Sequence, residues 1–327
     1  MKVSLLDRSR TRVDAPEGEA LHNTVRRARS AEALGYHRFW VAEHHAVPGI
    51  ASGSPAVLLA AIGGATRRIR LGSGGVMLPQ HRPLVVAEQF RMLEALHPGR
   101  IDLGIGRSLG FTAPVRRALG RERAPLEEFQ AELRELQAFL DDTGEITARP
   151  RTGPVPVFAL ATGSGADVAA RLGLPLVLGG PSLLDPDLPR LLDRYRERFV
   201  AASSPTGARS PYVVLSLSVF IADSEDRARE LALPEAWAMA RSRQTGEFPP
   251  LESPERIRAQ PWSPRVRERM DQQLEQVLAG EEDAVADQLR RLVSRTAADE
   301  LLAATSTYDT AALRELDAAL KRVADDL

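Results

Sequence analysis

Short apolar runs alternate with stretches whose apolar residues recur at helical spacing, and this alternation runs through almost the whole chain. Residues 3–6 form the first apolar run; Leu21, Val25, Ala28, Ala31 and Leu34 then fall on one helical face, and Gly35 stops that helix. The same reading predicts strands at 38–41, 69–77, 101–105, 155–160, 174–178, 213–221 and 300–305. The intervening helices are predicted at 55–66, 84–96, 126–140, 166–172, 188–199, 225–243 and 311–323. Residues 246–264 read as a long Pro-rich loop, either a lid or a surface insertion, and 265–296 as two helices broken near Gly280. Strand followed by helix, eight times over with no break in composition, predicts an α/β chain folded as a (β/α)8 TIM barrel. A long insertion falls between strands 7 and 8, and residues 1–327 are expected to form one domain. An open, doubly wound sheet is the competing architecture.

Composition removes several classes of function. Lys plus Arg is 43 and Asp plus Glu is 44, a formal net charge of -1, so no basic field favours nucleic acid or an anionic membrane. Cysteine is absent, which excludes disulfides, thiolate metal sites and a cysteine nucleophile, and suits a reducing cytoplasm. No run approaches the ~20 apolar residues that span a bilayer, and no signal peptide is read at the start. Lys2 and Lys321 are the only lysines, and neither adjoins a candidate site, so Schiff-base chemistry is not expected. The histidines are His22, His37, His44, His45, His81 and His97, so imidazole chemistry must come from the first third of the chain.

Four segments carry candidate chemistry. Strand 38–41 runs into Glu43, His44 and His45, at the end of a strand where barrel enzymes place catalytic groups. An imidazole there can accept or donate a proton near neutral pH, whereas a zinc centre would need further N, O or S ligands that the sequence does not place nearby. Gly74 and Gly75 lie inside an apolar strand, a pattern that fits either close approach of backbone to a ligand or a β-bulge. His81 opens the next helix, with Glu88 further along it. Gly106 and Arg107 end strand 101–105, and a guanidinium at a strand end suits a phosphate because its planar fork donates two parallel hydrogen bonds. Ala161, Thr162, Gly163 and Ser164 precede helix 166–172; hydroxyls and amides at a helix start can cradle an anion, or Ser164 can simply cap the helix. No Walker lysine follows, and the spacing of a dinucleotide-binding fingerprint is missing.

In order along the chain, YHRFWVAEHH, TRRIRLGSGGVMLP, PLVVAEQFRMLEALHPGRIDLGIGR, AARLGLP and WAMARSRQTGEFPPLESPE resemble the bacterial luciferase-like flavin-dependent monooxygenases. Within that family the chain looks most like the single-chain, homodimeric group, some of whose members act in aromatic polyketide biosynthesis. The resemblance implies a barrel that takes FMN as FMNH2 from a separate NAD(P)H:flavin reductase and forms a C4a-hydroperoxide with O2. One oxygen atom then enters an organic substrate, by hydroxylation or epoxidation. It also implies that His44 is the active-site histidine and that Gly74 and Gly75, a pair often joined by a cis peptide, lie beside the flavin ring. Glu88 matches an acid near the flavin, and Arg107 with Thr162 and Ser164 matches the phosphate clamp, to which Gly106, Ala161 and Gly163 contribute backbone.

Two departures bear on the outcome. True luciferase α subunits carry a thiol at the position of Gly106, and related single-chain proteins often carry a histidine near Gly180 or Pro181; this chain has neither. Light emission is therefore not expected, proton delivery rests on His44, and the glycines widen the pocket for a bulky substrate. Two alternatives remain at this point: a coenzyme F420-dependent oxidoreductase on the same barrel, and a flavin-binding protein without catalysis.

Overall fold

The structure is a computed structural model and describes residues 1–202 and 206–327. In chain order its first half contains β1 (Lys2–Asp7), α1 (Glu17–Leu34), β2 (Arg38–Val41), α2 (Pro55–Ala65), β3 (Arg70–Met77), α3 (Pro83–Leu96), β4 (Ile101–Gly106), α4 (Ala113–Ala118) and α5 (Leu126–Leu140). Next come β5 (Val157–Leu160), α6 (Gly165–Arg171), β6 (Leu176–Gly179), α7 (Leu188–Glu197), β7 (Val213–Leu217), β8 (Val219–Ile221) and α8 (Glu225–Thr245). The chain ends with α9 (Pro254–Arg258), α10 (Pro264–Leu274), β9 (Leu278–Gly280), α11 (Glu282–Thr296), β10 (Glu300–Ala303) and α12 (Thr310–Asp325). Local chemistry sets several of these ends. Gly35 takes a left-handed φ of 82° and closes α1, Ser224 accepts the Arg227 N–H at the start of α8, and Asp309 accepts two amides at the start of α12.

Eight parallel strands close into a barrel in the order β1-β10-β7-β6-β5-β4-β3-β2, a (β/α)8 TIM barrel. Each strand alternates between two buried environments, which is why the strands read as unbroken apolar runs. Leu5, Phe39, Val41, Val157, Leu176, Val213 and Leu301 face the helices, while Leu6, Trp40, Phe158, Val177, Val214 and Leu302 form a separate cluster inside the barrel. One level lower, towards the N-terminal ends of the strands, the interior is ionic. Arg38 bridges Asp102 at 2.7 Å and Glu300 at 2.8 Å, and both carboxylates are fully buried. Removing one partner of such a buried pair costs about 3–5 kcal/mol, because a charge is left without compensation. The lower end of the barrel is thus sealed by charge and its middle by Trp40 and Phe158, packed edge to face at 5.1 Å. Only the C-terminal end stays open.

The structure corrects two local readings and fills in a third. The apolar run 213–221 is two strands: β7 belongs to the barrel, and after Ser218 the chain leaves it so that β8 pairs with β9 in a small parallel sheet outside. Both environments bury the chain, so hydrophobicity could not mark the exit. Residues 246–264 are not structureless, since α9 forms there with Pro254 at its first turn and the Ser253 hydroxyl accepting the Arg256 N–H. That segment packs Phe248 and Leu251 against Val47 and Ile50, just beyond the histidine pair. The break near Gly280 is β9 itself.

Candidate active site at the C-terminal face of the barrel

The open end holds a cavity of about 500 Å³. Its floor is the upper surface of the interior cluster, Leu6, Val177 and Leu302, together with Leu160. Polar groups stand on one side: Arg107 and Ser108 after β4, and Thr162 after β5. Arg107 is exposed, and its recorded hydrogen bond runs from Nη1 to the Ala124 carbonyl at 2.9 Å. The structure thus brings Arg107, Ala161 and Thr162 together around one cavity. Gly163 and Ser164 continue the same turn, exposed and outside the lining. Ser164 makes no side-chain capping bond, so the capping reading does not hold. At seven residues α6 is short, so an anion at this corner would be held mainly by side chains.

Gly74 and Gly75 sit half-buried in β3 and are joined by a cis peptide. The pairing of β3 with β4 shifts register between Ser73 and Val76, so the bulge reading is met. A Cβ on Gly75 would stand 2.7 Å from the Gly104 carbonyl oxygen, and one on Gly74 would meet Leu6 at 2.6 Å. Gly106 differs: a Cβ there would meet nothing within 4 Å. Glu88 is half-buried on α3 and lies outside the lining of this cavity, so the structure does not bring it to Arg107 and Thr162.

The histidine pair divides its duties. His45 turns back on Glu43, Nε2 to Oε1 at 2.6 Å, and His81 reaches the same oxygen at 2.7 Å, while Glu43 Oε2 accepts the Met77 N–H at 3.0 Å. Burial pushes the Glu43 carboxyl up, but the hydrogen bonds from His45, His81 and Met77 outweigh it and hold the group at about 2. The sequence placed no further metal ligands near the pair, yet Glu43, His45 and His81 do converge. Two atoms on one tetrahedral zinc, each ~2.0–2.2 Å from it, stand roughly 3.3 Å apart. The shorter separations seen here are those of hydrogen bonds, and the cluster fixes the loop that carries His44.

His44 is held through its amide, which donates to the Ser52 carbonyl at 2.9 Å. Among the described residues its buried Nδ1 has no hydrogen-bond partner. Burial, reinforced by Arg8 and Arg10, lowers its pKa to about 4, so the ring is neutral at physiological pH. A neutral imidazole has one nitrogen that donates and one that accepts; His44 is not among the residues that line the 500 Å³ cavity.

A second lobe of about 240 Å³ shares Gly180 and Ser216 with the first. Its wall includes Arg8, which follows β1, and Glu235 from the middle of α8. Gly180 takes a left-handed φ of 62°, and a side chain there would point into open space, so the lobes stay connected. Neither Arg8 nor Glu235 stands out in the sequence. Counting by twos along β1, from Ser4 through Leu6, does arrive at Arg8 on the inward face.

Known proteins resemble this chain over most of its length. A family described as luciferase-like monooxygenase matches residues 1–300. A luciferase-like monooxygenase of Escherichia coli strain K12 is 36% identical over 307 residues, covering 90% of this chain and 89% of its own. An N-acetyl-S-alkylcysteine monooxygenase of Bacillus subtilis is 41% identical over 187 residues, 54% of this chain and 56% of its own. Among solved structures, apo-MsnO8 is 32% identical and superimposes with a TM-score of 0.86, covering 99% of this chain and 98% of its own.

Proposed function

Because the chain belongs to the luciferase-like monooxygenase family, we propose that it is a two-component enzyme that takes reduced FMN from an NAD(P)H:flavin reductase and oxygenates an organic substrate. When bound, reduced FMN supplies the two electrons that activate O2; one oxygen atom enters the substrate and the other leaves as water. The observation that carries this reading is the 500 Å³ cavity, apolar on its floor and cationic at one side. A flat ring fits the first and a phosphate fits the second. Arg107, Ser108 and Thr162 would hold the phosphate, with the Ala161, Gly163 and Ser164 backbone beside it. Gly74, Gly75, Gly106 and Glu88 lie outside the lining of the cavity, and they are assigned to the flavin on the family resemblance.

His44 would manage the proton. Its neutral ring accepts one at Nδ1 or donates one from the opposite nitrogen, according to tautomer, while Glu43, His45 and His81 fix the loop beneath it. The loops around 108–125 and 244–264 are assigned to the walls of the pocket, and their closure over it would keep water from the reacting centre. The substrate is taken to be aromatic, of the polyketide kind, hydroxylated or epoxidised, and the reaction belongs in the cytoplasm where the reductase works. Val57 on α2 and Val85, Met92 and Leu96 on α3 present an exposed apolar face, which supports a homodimer built on these helices. Sedimentation of the purified protein is expected to give the dimer mass, and a monomer at micromolar concentration would contradict it.

The test of function is anaerobic titration with reduced FMN, followed by mixing with O2 while oxygen uptake and flavin absorbance are followed. Saturable binding and protein-dependent oxygen chemistry are expected. Binding with no change in oxygen chemistry would point to flavin storage, and binding of F420 in place of FMN to hydride transfer.

A further inference from the structure

We propose that the smaller lobe of the mouth selects an organic substrate that carries a carboxylate, and that Arg8 is the residue that holds it. The proposal rests on the reading above, in which the larger lobe takes the flavin.

Charge is the first argument. Arg8 Nη1 lies 2.9 Å from one oxygen of Glu235, and Arg10 Nε lies 3.0 Å from the other. Two guanidiniums therefore share one carboxylate. Burial lowers Arg10 to about 10, which still leaves it protonated at neutral pH, so the trio keeps an uncompensated positive charge. Arg10 is engaged elsewhere: Nη1 donates to the Gly49 carbonyl and Nη2 to the Pro249 carbonyl, and its guanidinium lies 4.4 Å from the centre of the Phe248 ring. The remaining charge is thus presented by Arg8. Within the lobe the other charged lining residues are Glu235 itself and Arg243 at the exposed rim, so no further acid is there to meet it.

Hydrogen bonding is the second argument. Arg8 Nη2 donates to the Ala304 carbonyl at 3.0 Å. Arg8 Nε is buried and, among the described residues, has no acceptor. A buried donor left without a partner is unfavourable, and an incoming acceptor relieves it. A carboxylate supplies both the acceptor and the missing negative charge, and arginine recognises that group through paired N–H donors. The rest of the wall suits a mixed organic body: Leu217, Phe220 and Met239 are apolar, while Ser216 and Gln273 offer neutral hydrogen bonds. The position also serves oxygenation, since Ser216 and Gly180 border both lobes and a molecule anchored at Arg8 extends towards the flavin lobe.

The experiment is calorimetric titration of the purified protein, with FMN present, against matched probes. These are phenylacetate, 3-phenylpropanoate, 4-phenylbutanoate and N-acetyl-S-benzylcysteine, each paired with its primary amide. At least one acid is expected to bind tenfold or more tightly than its amide. Arg8→Gln should abolish that preference, and Glu235→Gln, which removes the internal competitor and keeps Arg8, should strengthen it. Opposite signs in the two variants are not produced by a merely structural ion pair. Absence of any preference, or its survival in Arg8→Gln, overturns the proposal; so does a tenfold loss of FMN affinity in Arg8→Gln, which would assign the free charge to the cofactor. A carboxylate preference in protein that fails to bind FMN would leave Arg8 in its role and remove the flavin reading instead.

Discussion

At the scale of single residues, the mouth of the barrel separates groups that look alike in sequence. Glu43, His44 and His45 are consecutive, yet Glu43 binds both His45 and His81, while among the described residues the buried Nδ1 of His44 has no hydrogen-bond partner. Their environments push them in opposite chemical directions: Glu43 is held ionised by its donors, and His44 is held neutral by burial beside Arg8 and Arg10. His44→Gln is expected to lower turnover with FMNH2 and O2 by about 10²–10⁴-fold, the usual range for loss of a general acid or base. In the wild type the ionisation of this ring should appear near pH 4, as loss of activity when it becomes protonated, with no break at pH 6–7 from this group. A variant with full activity would remove His44 from the mechanism. The histidine pair was legible because it ends a strand. The clamp of His81 on Glu43 was not, because 38 residues separate them and only barrel closure brings β2 and the start of α3 together. Arg8 escaped notice for a different reason: a lone arginine after a strand has no motif, and its meaning comes from Glu235, 227 positions later in a helix that reads as ordinary apolar packing.

At the scale of elements, most strands and helices follow directly from period and punctuation, and the misreadings have physical causes. Where both faces of a segment are buried, hydrophobicity no longer reports which sheet it belongs to, so 213–221 read as one strand although β8 leaves the barrel. The β3–β4 pair shows the reverse case, in which missing side chains carry the information. Gly75 is packed against the Gly104 carbonyl and Gly106 faces open space, although both read as glycines of one strand system. Gly75→Ala is expected to destabilise the protein by about 1–3 kcal/mol through overpacking, whereas Gly106→Ala should be neutral within ±0.5 kcal/mol. Urea unfolding of both variants measures this, and equal stabilities would mean that the β3 backbone can yield by the distance the contact requires. The 246–264 segment was recognisable as unusual from its prolines and length. That it carries α9 and packs on the loop beyond His44 depended on contacts of Phe248 and Leu251 that no local pattern encodes.

At the scale of the molecule, the barrel is organised as three levels: a buried ionic layer of Arg38, Asp102 and Glu300, an apolar layer around Trp40 and Phe158, and an open upper level. Stability is concentrated at the bottom and chemistry at the top, the division expected of this fold. The architecture was legible because strand and helix alternate without interruption, and the meeting of Arg107 with Ala161 and Thr162 because each follows the end of a strand. The division of the mouth into two lobes was not, since it depends on how β6, β7 and α8 meet. The central claim is that the larger lobe takes a flavin by its phosphate end. It is tested most directly by measuring the affinities of reduced FMN and reduced riboflavin, without oxygen, in the wild type and in Arg107→Gln. With charge-assisted hydrogen bonds contributing about 1.5–3 kcal/mol each, FMN is expected to bind the wild type at least tenfold more tightly than riboflavin, and Arg107→Gln to erase most of that difference. Equal affinity for the two flavins, or a preference for FMN untouched by Arg107→Gln, would contradict the account.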